Sequence, residues 1–372
     1  MLIHPRTRHR ALTLLAVVAT LGACKKDPEP ASAGQSALEA KQRAEKAAQL
    51  LDVPRDRIYA ASAHLRVIDV AVGQVVAGLN LQRAITGIAF STDGRRAFVA
   101  ASDGVREIDV EETKVLRQLT SSPARQVLRS LAGDRLFVLE HDVPMVAGQP
   151  KPSDFRLLTL SVETGKVERT EQIGPRILAV VPSLGPDRHH LVLEESMRVV
   201  LGKPGTKLAA GEPIDLAAGL PSKTLLVRPY LVLSDDGAHA FVPVEGEPSR
   251  IIDVDLVHGT SSAISMEKQR LIRGLAVSSD AKRLFVNTAD ALVTVELGSR
   301  KITGELALDA PHTGLVLSSD QRRAYLAQTV HEDGGAVTIV LLDPLRVQGK
   351  IHLADISPWV IAVQPRAGFA AR

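Results

Sequence analysis

Basic side chains recur at one place along most of the chain, at or just before the start of an apolar β-like segment. They are Arg83, Arg125, Arg176, Arg228, Arg273 and His312. Guanidinium and imidazolium groups bind anions through charge-assisted hydrogen bonds. If the segments meet at one end of a channel, these groups would attract an anionic ligand or an acidic segment of a partner protein. Solvated loop residues are the simpler interpretation of the same pattern.

The common motifs for nucleophilic and phosphate chemistry are missing from the sequence. It contains neither a G-x-S-x-G elbow nor a G-x-x-x-x-G-K loop. The only cysteine is Cys24, so a catalytic or metal-binding thiol is not expected elsewhere in the chain. We therefore predict no catalytic residue and no cofactor, and leave open whether the chain has an enzymatic activity.

The residue types that ligate metals do not form a metal-binding pattern. His189 and His190 are adjacent on a predicted strand, where neighbouring side chains point to opposite faces. His331 begins a segment that ends in two glycines, which favours a solvated hairpin tip. Asp253 and Asp255 share a face but lack the further oxygen ligands that calcium needs. The sequence predicts no metal site.

An internal repeat indicates which elements would position these residues. Three stretches share a glycine, an aspartate six residues later and an aromatic residue five residues after that: Gly87/Asp93/Phe98, Gly274/Asp280/Phe285 and Gly314/Asp320/Tyr325. A serine precedes each aspartate by two positions. Such aspartates accept hydrogen bonds from local backbone amides in turns, so their recurrence predicts architecture rather than catalysis.

The spacing of the repeat predicts an all-β fold, a seven-bladed β-propeller. Anchor residues fall near 59, 98, 137, 192, 241, 285, 325 and 369, which gives seven intervals of 39 to 55 residues. Periods of about 40 to 50 residues with four strands are typical of propeller blades. Because the chain begins with a second strand and ends with a first strand, we expect the N- and C-terminal strands to pair and close the ring.

The repeat resembles that of YVTN-type β-propellers of bacterial extracytoplasmic proteins. Its matching residues are Ser91, Asp93 and Gly94 in the turn, Phe98-Val99 at the strand end, Ile108-Asp109, and Thr164-Gly165-Lys166-Val167. The resemblance covers most of residues 53–366 and implies a propeller there, although the proline that precedes the turn aspartate in that family is missing. Some related propellers are similar to phosphogluconolactonase-like hydrolases, which implies a lactonase-type hydrolase as the alternative function.

The N-terminus predicts export and lipidation. Three arginines precede an apolar run of eleven residues, Ala11 to Leu21, and the sequence LGAC follows, ending at Cys24. The run is shorter than the roughly 20 residues that cross a bilayer, and its order of parts is that of a secretory signal. LGAC resembles the bacterial lipobox, which implies cleavage before Cys24 and acylation of this cysteine with chains such as palmitate.

Three regions follow from these features. Residues 1–23 are predicted to be the lipoprotein signal peptide. Residues 24–52 are predicted to contain the acylated cysteine, a flexible linker and a short helix that starts at Ser36 with a capping box to Glu39. Residues 53–372 are predicted to form the propeller. The loop from His141 to Ser153 contains three prolines and is a second candidate contact region, or a simple insertion.

The charge balance argues against a nucleic-acid partner. The full chain has a net charge of +3, but residues 1–23 carry three arginines and no acid, so the remainder has 42 basic and 42 acidic side chains. Nucleic-acid-binding surfaces need a clustered basic excess, so we expect no nucleic-acid partner.

From the signal segment and the predicted lipidation, we expect a protein in the cell envelope, outside the cytoplasm and anchored to a membrane by its lipid. Its propeller would act as a binding or scaffold module for a protein or an anionic ligand.

Overall fold

A computed structural model describes residues 56–130, 132–141, 155–174, 177–182, 190–194, 198–202, 214–216, 220, 231–329 and 334–365. All of them belong to the unit Val53–Arg372. These ranges contain 28 β-strands and no helix, and hence no helix that could span a membrane. The signal segment, Cys24, the linker, the predicted helix, nearly all of the 141–153 loop and the last anchor, Phe369, lie outside the described residues.

The first half of the chain provides the strands of sheets 1 to 4. Sheet 1 takes β1 (Arg57–Ala61), β2 (Leu65–Asp69) and β3 (Gln74–Leu79) from this half. Sheet 2 has β4 (Ile85–Phe90), β5 (Arg96–Ala101), β6 (Gly104–Asp109) and β7 (Lys114–Gln118). Sheet 3 has β8 (Ala124–Arg129), β9 (Arg135–His141), β10 (Phe155–Ser161) and β11 (Val167–Gly174). Sheet 4 has β12 (Ile177–Pro182), β13 (His190–Glu194), β14 (Arg198–Gly202) and β15 (Ile214–Asp215).

The second half provides sheets 5 to 7 and the last strand of sheet 1. Sheet 5 has β16 (Val232–Leu233), β17 (His239–Val244), β18 (Arg250–Asp255) and β19 (Thr260–Ser265). Sheet 6 has β20 (Ile272–Val277), β21 (Arg283–Thr288), β22 (Ala291–Glu296) and β23 (Lys301–Ala307). Sheet 7 has β24 (His312–Leu317), β25 (Arg323–Thr329), β26 (Gly335–Leu342) and β27 (Leu345–Leu353), and β28 (Val360–Val363) completes sheet 1.

The described strands form seven four-stranded antiparallel sheets, and six of them are simple meanders of consecutive strands. Sheet 1 is the exception, because its order is β28-β1-β2-β3. In its register Ile58 lies opposite Val363 and Ala61 opposite Val360. The predicted pairing of the N- and C-terminal strands is therefore confirmed. It satisfies the edge of β1 that would otherwise be left open.

The first strands of successive sheets lie next to one another, with β28 against β4, β4 against β8, β8 against β12, β16 against β20, β20 against β24 and β24 against β28. Sheets 4 and 5 meet through β15 and β19. We call β4, β8, β12, β16, β20, β24 and β28 the inner strands. Sheets that contact their neighbours in this way around inner strands form a β-propeller arrangement, which confirms that the fold is an all-β propeller.

The core lies between the faces of adjacent sheets. In β5 every residue after Arg96 is buried, whereas the outermost strand of the same sheet, β7, is exposed along its whole length. The repeated aromatic position is buried in each sheet where its burial is described: Tyr59, Phe98, Phe137, Phe241, Phe285 and Tyr325. This position explains the spacing of the anchors, because each ring fills the gap to a neighbouring sheet. Tyr325 of sheet 7, for example, packs with Ile58 of sheet 1.

The repeated serine and aspartate form the turn after four of the inner strands, β4, β16, β20 and β24. Ser278 Oγ donates to Asp280 Oδ1 at 2.6 Å, and that oxygen accepts from the Lys282 amide at 3.1 Å. The same bonds recur at Asp93, Asp236 and Asp320. The hydrogen bond from Ser278 is the largest cause of the lowered pKa of Asp280. The architectural interpretation of these aspartates is confirmed.

The sequence also predicts turn aspartates at the ends of strands, at Asp69, Asp109, Asp253 and Asp343, and one of these predictions needs correction. Asp69 and Asp109 accept hydrogen bonds from backbone amides two or three residues later, as expected. In sheet 5, however, this role belongs to Asp255 rather than to Asp253. Asp253 instead faces His239 Nδ1 at 2.7 Å and Arg300 at 3.6 Å.

Candidate site in the channel

An extra residue near the start of the inner strands is the structural basis of the candidate site. In β4, Ile85 lies opposite Ala101 and Gly87 opposite Ala100, so that Thr86 is left without a partner residue. Bulges of this kind re-aim a side chain out of the regular alternation. The register skips one residue at the same place in other inner strands, at Arg125, Leu178, Arg273 and Thr313. We call this place the bulge position.

In β28 the same place falls just outside the strand. The Trp359 amide donates to Ala61 O at 3.0 Å, next to the Val360–Ala61 pair. Trp359 thus corresponds to Thr86, Arg273 and Thr313. The indole is 46% exposed.

Three bulge-position side chains donate to a backbone carbonyl of the next inner strand around the ring. Trp359 Nε1 donates to Ile85 O at 2.6 Å, Thr86 Oγ1 to Ala124 O at 2.7 Å, and Thr313 Oγ1 to Pro358 O at 2.9 Å. In each case the acceptor belongs to the residue just before the next bulge position. These hydrogen bonds join successive inner strands and use the one donor hydrogen of each side chain.

Arg273 departs from this pattern. Its counterpart acceptor would be the carbonyl of His312, but that oxygen accepts from Asn287 Nδ2 at 3.1 Å. The half-buried Arg273 side chain has no hydrogen bond or ion pair to any residue that the structure describes, and its Nε is buried without a partner. A guanidinium stays protonated under all ordinary conditions. Arg273 therefore carries a positive charge that the described part of the chain does not compensate.

A cavity of about 500 Å³ opens beside Arg273, among the inner strands β4, β16, β20, β24 and β28. Thr86 and Thr313 contribute to its wall. The rest of its described side-chain lining is mainly apolar, from Val232, Leu275, Leu315, Trp359, Val360 and Ile361. A concave apolar site with one uncompensated cation can hold a small anion and exclude most of the water around it.

The six basic residues that the sequence singled out do not occupy equivalent places. Arg273 and Arg125 hold bulge positions, and the Arg125 guanidinium lies 5.5 Å from the centre of the Phe155 ring. Arg83 precedes its strand and donates from Nε to Asp103 at 3.0 Å. Asp103 also accepts from Arg106, and this bond is the largest cause of the lowered pKa of Asp103. Arg176 and Arg228 lie outside the described residues.

His312 lies in the core rather than at a channel mouth. Its side chain is fully buried, and Nε2 faces Thr338 Oγ1 at 2.9 Å. In the register of its sheet it corresponds to Ile85, the residue before a bulge position. Burial lowers the pKa of His312 from 6.5 to about 4, so the imidazole is neutral near pH 7. We therefore remove His312 from the basic group.

Trp359, Thr86 and Thr313 were not among the predicted site residues. The repeat contains a signal for two of them, because Thr86, Arg273 and Thr313 each stand immediately before the repeated glycine. Among the described residues, no group of three or more His, Cys, Asp or Glu side chains is placed to hold a metal ion.

Comparison with known proteins gives the fold alone. No protein-family model matches the chain, and no curated protein matches it by sequence. A functionally unknown protein from Desulfotomaculum acetoxidans DSM 771 aligns with 84% of this chain and 100% of its own, at a TM-score of 0.64 and 15% identity.

Two enzymes share the architecture, with similarly low TM-scores and sequence identities. Kuenenia stuttgartiensis hydrazine synthase aligns over 78% of this chain and 90% of its own, at a TM-score of 0.56 and 11% identity. The dihydro-heme d1 dehydrogenase NirN, in complex with DHE, aligns over 86% and 77%, at a TM-score of 0.55 and 15% identity. At these identities the similarity supports the propeller fold and carries no ligand or activity to this chain.

Proposed function

We propose that this chain is a lipid-anchored protein of the bacterial cell envelope, outside the cytoplasm, whose β-propeller binds an anionic ligand in its channel. The observation that carries the binding role is the Arg273 guanidinium in the wall of the cavity, with which no described residue forms a hydrogen bond or an ion pair. The lipid anchor rests on the sequence LGAC at Cys24.

We assign seven blades of the YVTN type to the propeller. The seven four-stranded sheets and the sequence of contacts between them support one closed ring. The turn built by Ser91 and Asp93, which also occurs in three further sheets, supports the resemblance in the repeat.

The binding role follows from the cost of burying a charge. A half-buried guanidinium with a buried, unpaired Nε loses hydration that no described residue replaces. A carboxylate or similar anion would bind the accessible Nη groups of this guanidinium through charge-assisted hydrogen bonds, which Arg presents in a planar fork. The side chains of Thr86, Thr313 and Trp359 at the other bulge positions already donate to backbone carbonyls. Among the described side chains of the lining, Arg273 is therefore the one that can still donate hydrogen bonds to a ligand.

Thermal unfolding of the intact mature lipoprotein in detergent tests the binding role. Acetate, phenylacetate, phosphate and sulfate are added at constant ionic strength against a chloride baseline. An anion that binds only the folded state raises Tm, by roughly 2 °C when its concentration is about ten times Kd. We expect at least one anion to stabilise the wild type in this way and not R273Q.

R83Q is the matched control, because it removes the same charge from a residue that is already paired with Asp103. Its response to the anions should equal that of the wild type. An equal response of R273Q and the wild type would overturn the binding proposal. So would the absence of any response in either protein.

The anchor is tested by metabolic labelling. Cells that express the wild type or C24A are grown with labelled palmitate, and the protein is recovered after detergent extraction. We expect label in the wild type and none in C24A, together with retention of an uncleaved N-terminus in the variant. Label in C24A, or an unlabelled wild type, would contradict lipidation at Cys24.

A further inference from the structure

Resting on the proposed binding role, we infer that the channel ligand is a monocarboxylate with an aromatic or branched apolar body. The carboxylate pairs with Arg273, and the body lies against Trp359 and the apolar wall. The inference specifies the chemistry of the ligand, whereas the proposed function requires only an anion.

The number of free donors limits the charge of the ligand. Thr86 and Thr313 both direct their hydroxyl hydrogens to backbone carbonyls, at 2.7 and 2.9 Å. The indole hydrogen of Trp359 is committed in the same way. Among the described side chains of the lining, only the guanidinium of Arg273 keeps donors for a ligand. One guanidinium matches the two oxygens of one carboxylate, whereas a dianionic phosphate would keep one charge and further acceptors without partners.

The rest of the described cavity wall favours an apolar body. The described lining combines Leu275, Leu315 and Ile361 with the partly exposed ring of Trp359. The hydrogen bond from Nε1 to Ile85 O fixes the polar edge of the indole, so the part of the ring that remains exposed is available for stacking or edge contacts. A small hydrophilic anion such as acetate would leave this surface facing water.

The packing of the inner strands makes the cavity preformed. A Cβ on Gly314 would lie 3.0 Å from Ile361 Cγ2, and a Cβ on Gly274 would lie 3.2 Å from Leu315 Cβ. At these two places the inner strands therefore lie closer together than an ordinary Cβ contact allows. A rigid apolar wall with a fixed cation distinguishes ligands by shape as well as by charge.

The chain provides its own probe for the test. Trp359 is the only tryptophan in the sequence and lies in the wall of the cavity, so its fluorescence reports occupancy directly. The intact mature lipoprotein in detergent is titrated with phenylacetate, phenylacetamide, acetate and inorganic phosphate. Phenylacetamide keeps the ring and loses the charge, whereas acetate keeps the charge and loses the ring.

We expect phenylacetate to bind at least about tenfold more tightly than phenylacetamide, acetate or phosphate, since both the charge and the ring contribute. In R273Q the affinity for phenylacetate should fall to that for phenylacetamide, and R83Q should behave as the wild type. The Tm of R273Q without ligand should not decrease, because the side chain loses no described hydrogen bond.

The outcomes separate the inference from the proposed function. If acetate or phosphate binds as tightly as phenylacetate and this binding is lost in R273Q, the anion site stands and the inference is wrong. If no probe changes the fluorescence, or R273Q binds every probe as the wild type does, both are wrong.

The same chemistry has two sources, a free acid or the C-terminus of a peptide. N-acetyl-Ala-Phe is therefore titrated beside its C-terminal amide. Tighter binding of the peptide acid than of phenylacetate assigns the site to the C-terminus of a partner protein, and the reverse order assigns it to a free acid. Equal binding of the peptide acid and its amide would contradict carboxylate recognition by Arg273.

Discussion

Tyr325 Oη donates a hydrogen bond of 2.8 Å to Asp56 Oδ2, and this contact joins sheet 7 to the residue just before β1 of sheet 1. Asp56 is fully buried and also accepts from Ser319 Oγ at 2.7 Å. Burial and the nearby carboxylate both raise the pKa of Tyr325. The ring closure therefore combines the backbone pairing of β1 with β28 and a buried, charge-assisted contact between sheets 7 and 1.

Tyr325→Phe tests the contribution of that contact. Removing the hydroxyl leaves a buried carboxylate oxygen short of a donor, so the free energy of unfolding should fall by about 2–3 kcal/mol. Denaturant unfolding followed by circular dichroism measures the change.

Tyr59→Phe is its control, since Tyr59 occupies the equivalent place and its hydroxyl is buried without a described partner. The residue that corresponds to Asp56 in sheet 2 is Arg95, as the matching bonds of Val70 N to Asp56 O and Val110 N to Arg95 O indicate. Tyr59→Phe should change stability by less than about 0.5 kcal/mol or increase it. Equal losses in the two variants would refute the closure role of Tyr325.

Glu107→Gln tests a second contact between sheets. The Glu107 side chain is 3% exposed and accepts from Arg96 Nη1 at 3.1 Å and from Arg117 Nε at 2.6 Å. Both arginines also donate to backbone carbonyls of sheet 3, at Val162 and Thr164. Loss of the charge should cost about 2–4 kcal/mol in unfolding free energy, because two guanidinium groups lose their partner.

The control for Glu107 is Glu112, which forms an ion pair with Lys114 in which both side chains are exposed. Glu112→Gln should change the unfolding free energy by less than about 0.5 kcal/mol. If Glu107→Gln were as neutral as Glu112→Gln, the buried cluster would not stabilise the contact between sheets 2 and 3.

His312 predicts a pH dependence of stability. Its pKa is lowered from 6.5 to about 4 by burial, so the unfolded chain takes up the proton first. Above pH 6.5 the residue has no effect on the pH dependence. As pH falls from 6.5 to 4, the free energy of unfolding should decrease by about 3 kcal/mol in total from this group, and below pH 4 the loss is complete.

Unfolding free energies of the wild type and His312→Gln between pH 4 and 8 measure this effect. The variant should lack the His312 component, so the difference between the two curves changes with pH only between about 4 and 6.5. Parallel curves over that range would show that His312 titrates normally in the folded state.

The fold could be predicted from the sequence because its signals are local and repeated. The spacing from Gly274 to Asp280 to Phe285 encodes an inner strand, a turn and a core aromatic residue, and the same spacing recurs at Gly87 and Gly314. The repeat starts with a second strand and ends with a first strand, and this observation sufficed to predict the pairing of β1 with β28. Each of these inferences depends on turn chemistry and on period-2 burial, which a single sequence displays.

The candidate site could be predicted only in part, because it depends on one extra residue in a strand. A shift of one position moves a side chain to the other face. Arg273 lies at the bulge position whereas His312, which the sequence grouped with it, lies one position earlier and is buried. The choice between Asp253 and Asp255 failed for a similar reason, since two residues in one strand share a face and only the turn distinguishes them.

Binding of an anion by the Arg273 guanidinium is the central claim about this protein. Nitrogen-15 NMR of the arginine Nε–H groups tests it directly, with the Arg273 resonance assigned by its absence in R273Q. We predict that phenylacetate shifts this resonance downfield in a saturable manner, with the Kd obtained from Trp359 fluorescence, and that phenylacetamide does not. A resonance that stays in place while fluorescence reports saturation, or a saturable shift confined to another arginine, would contradict the account.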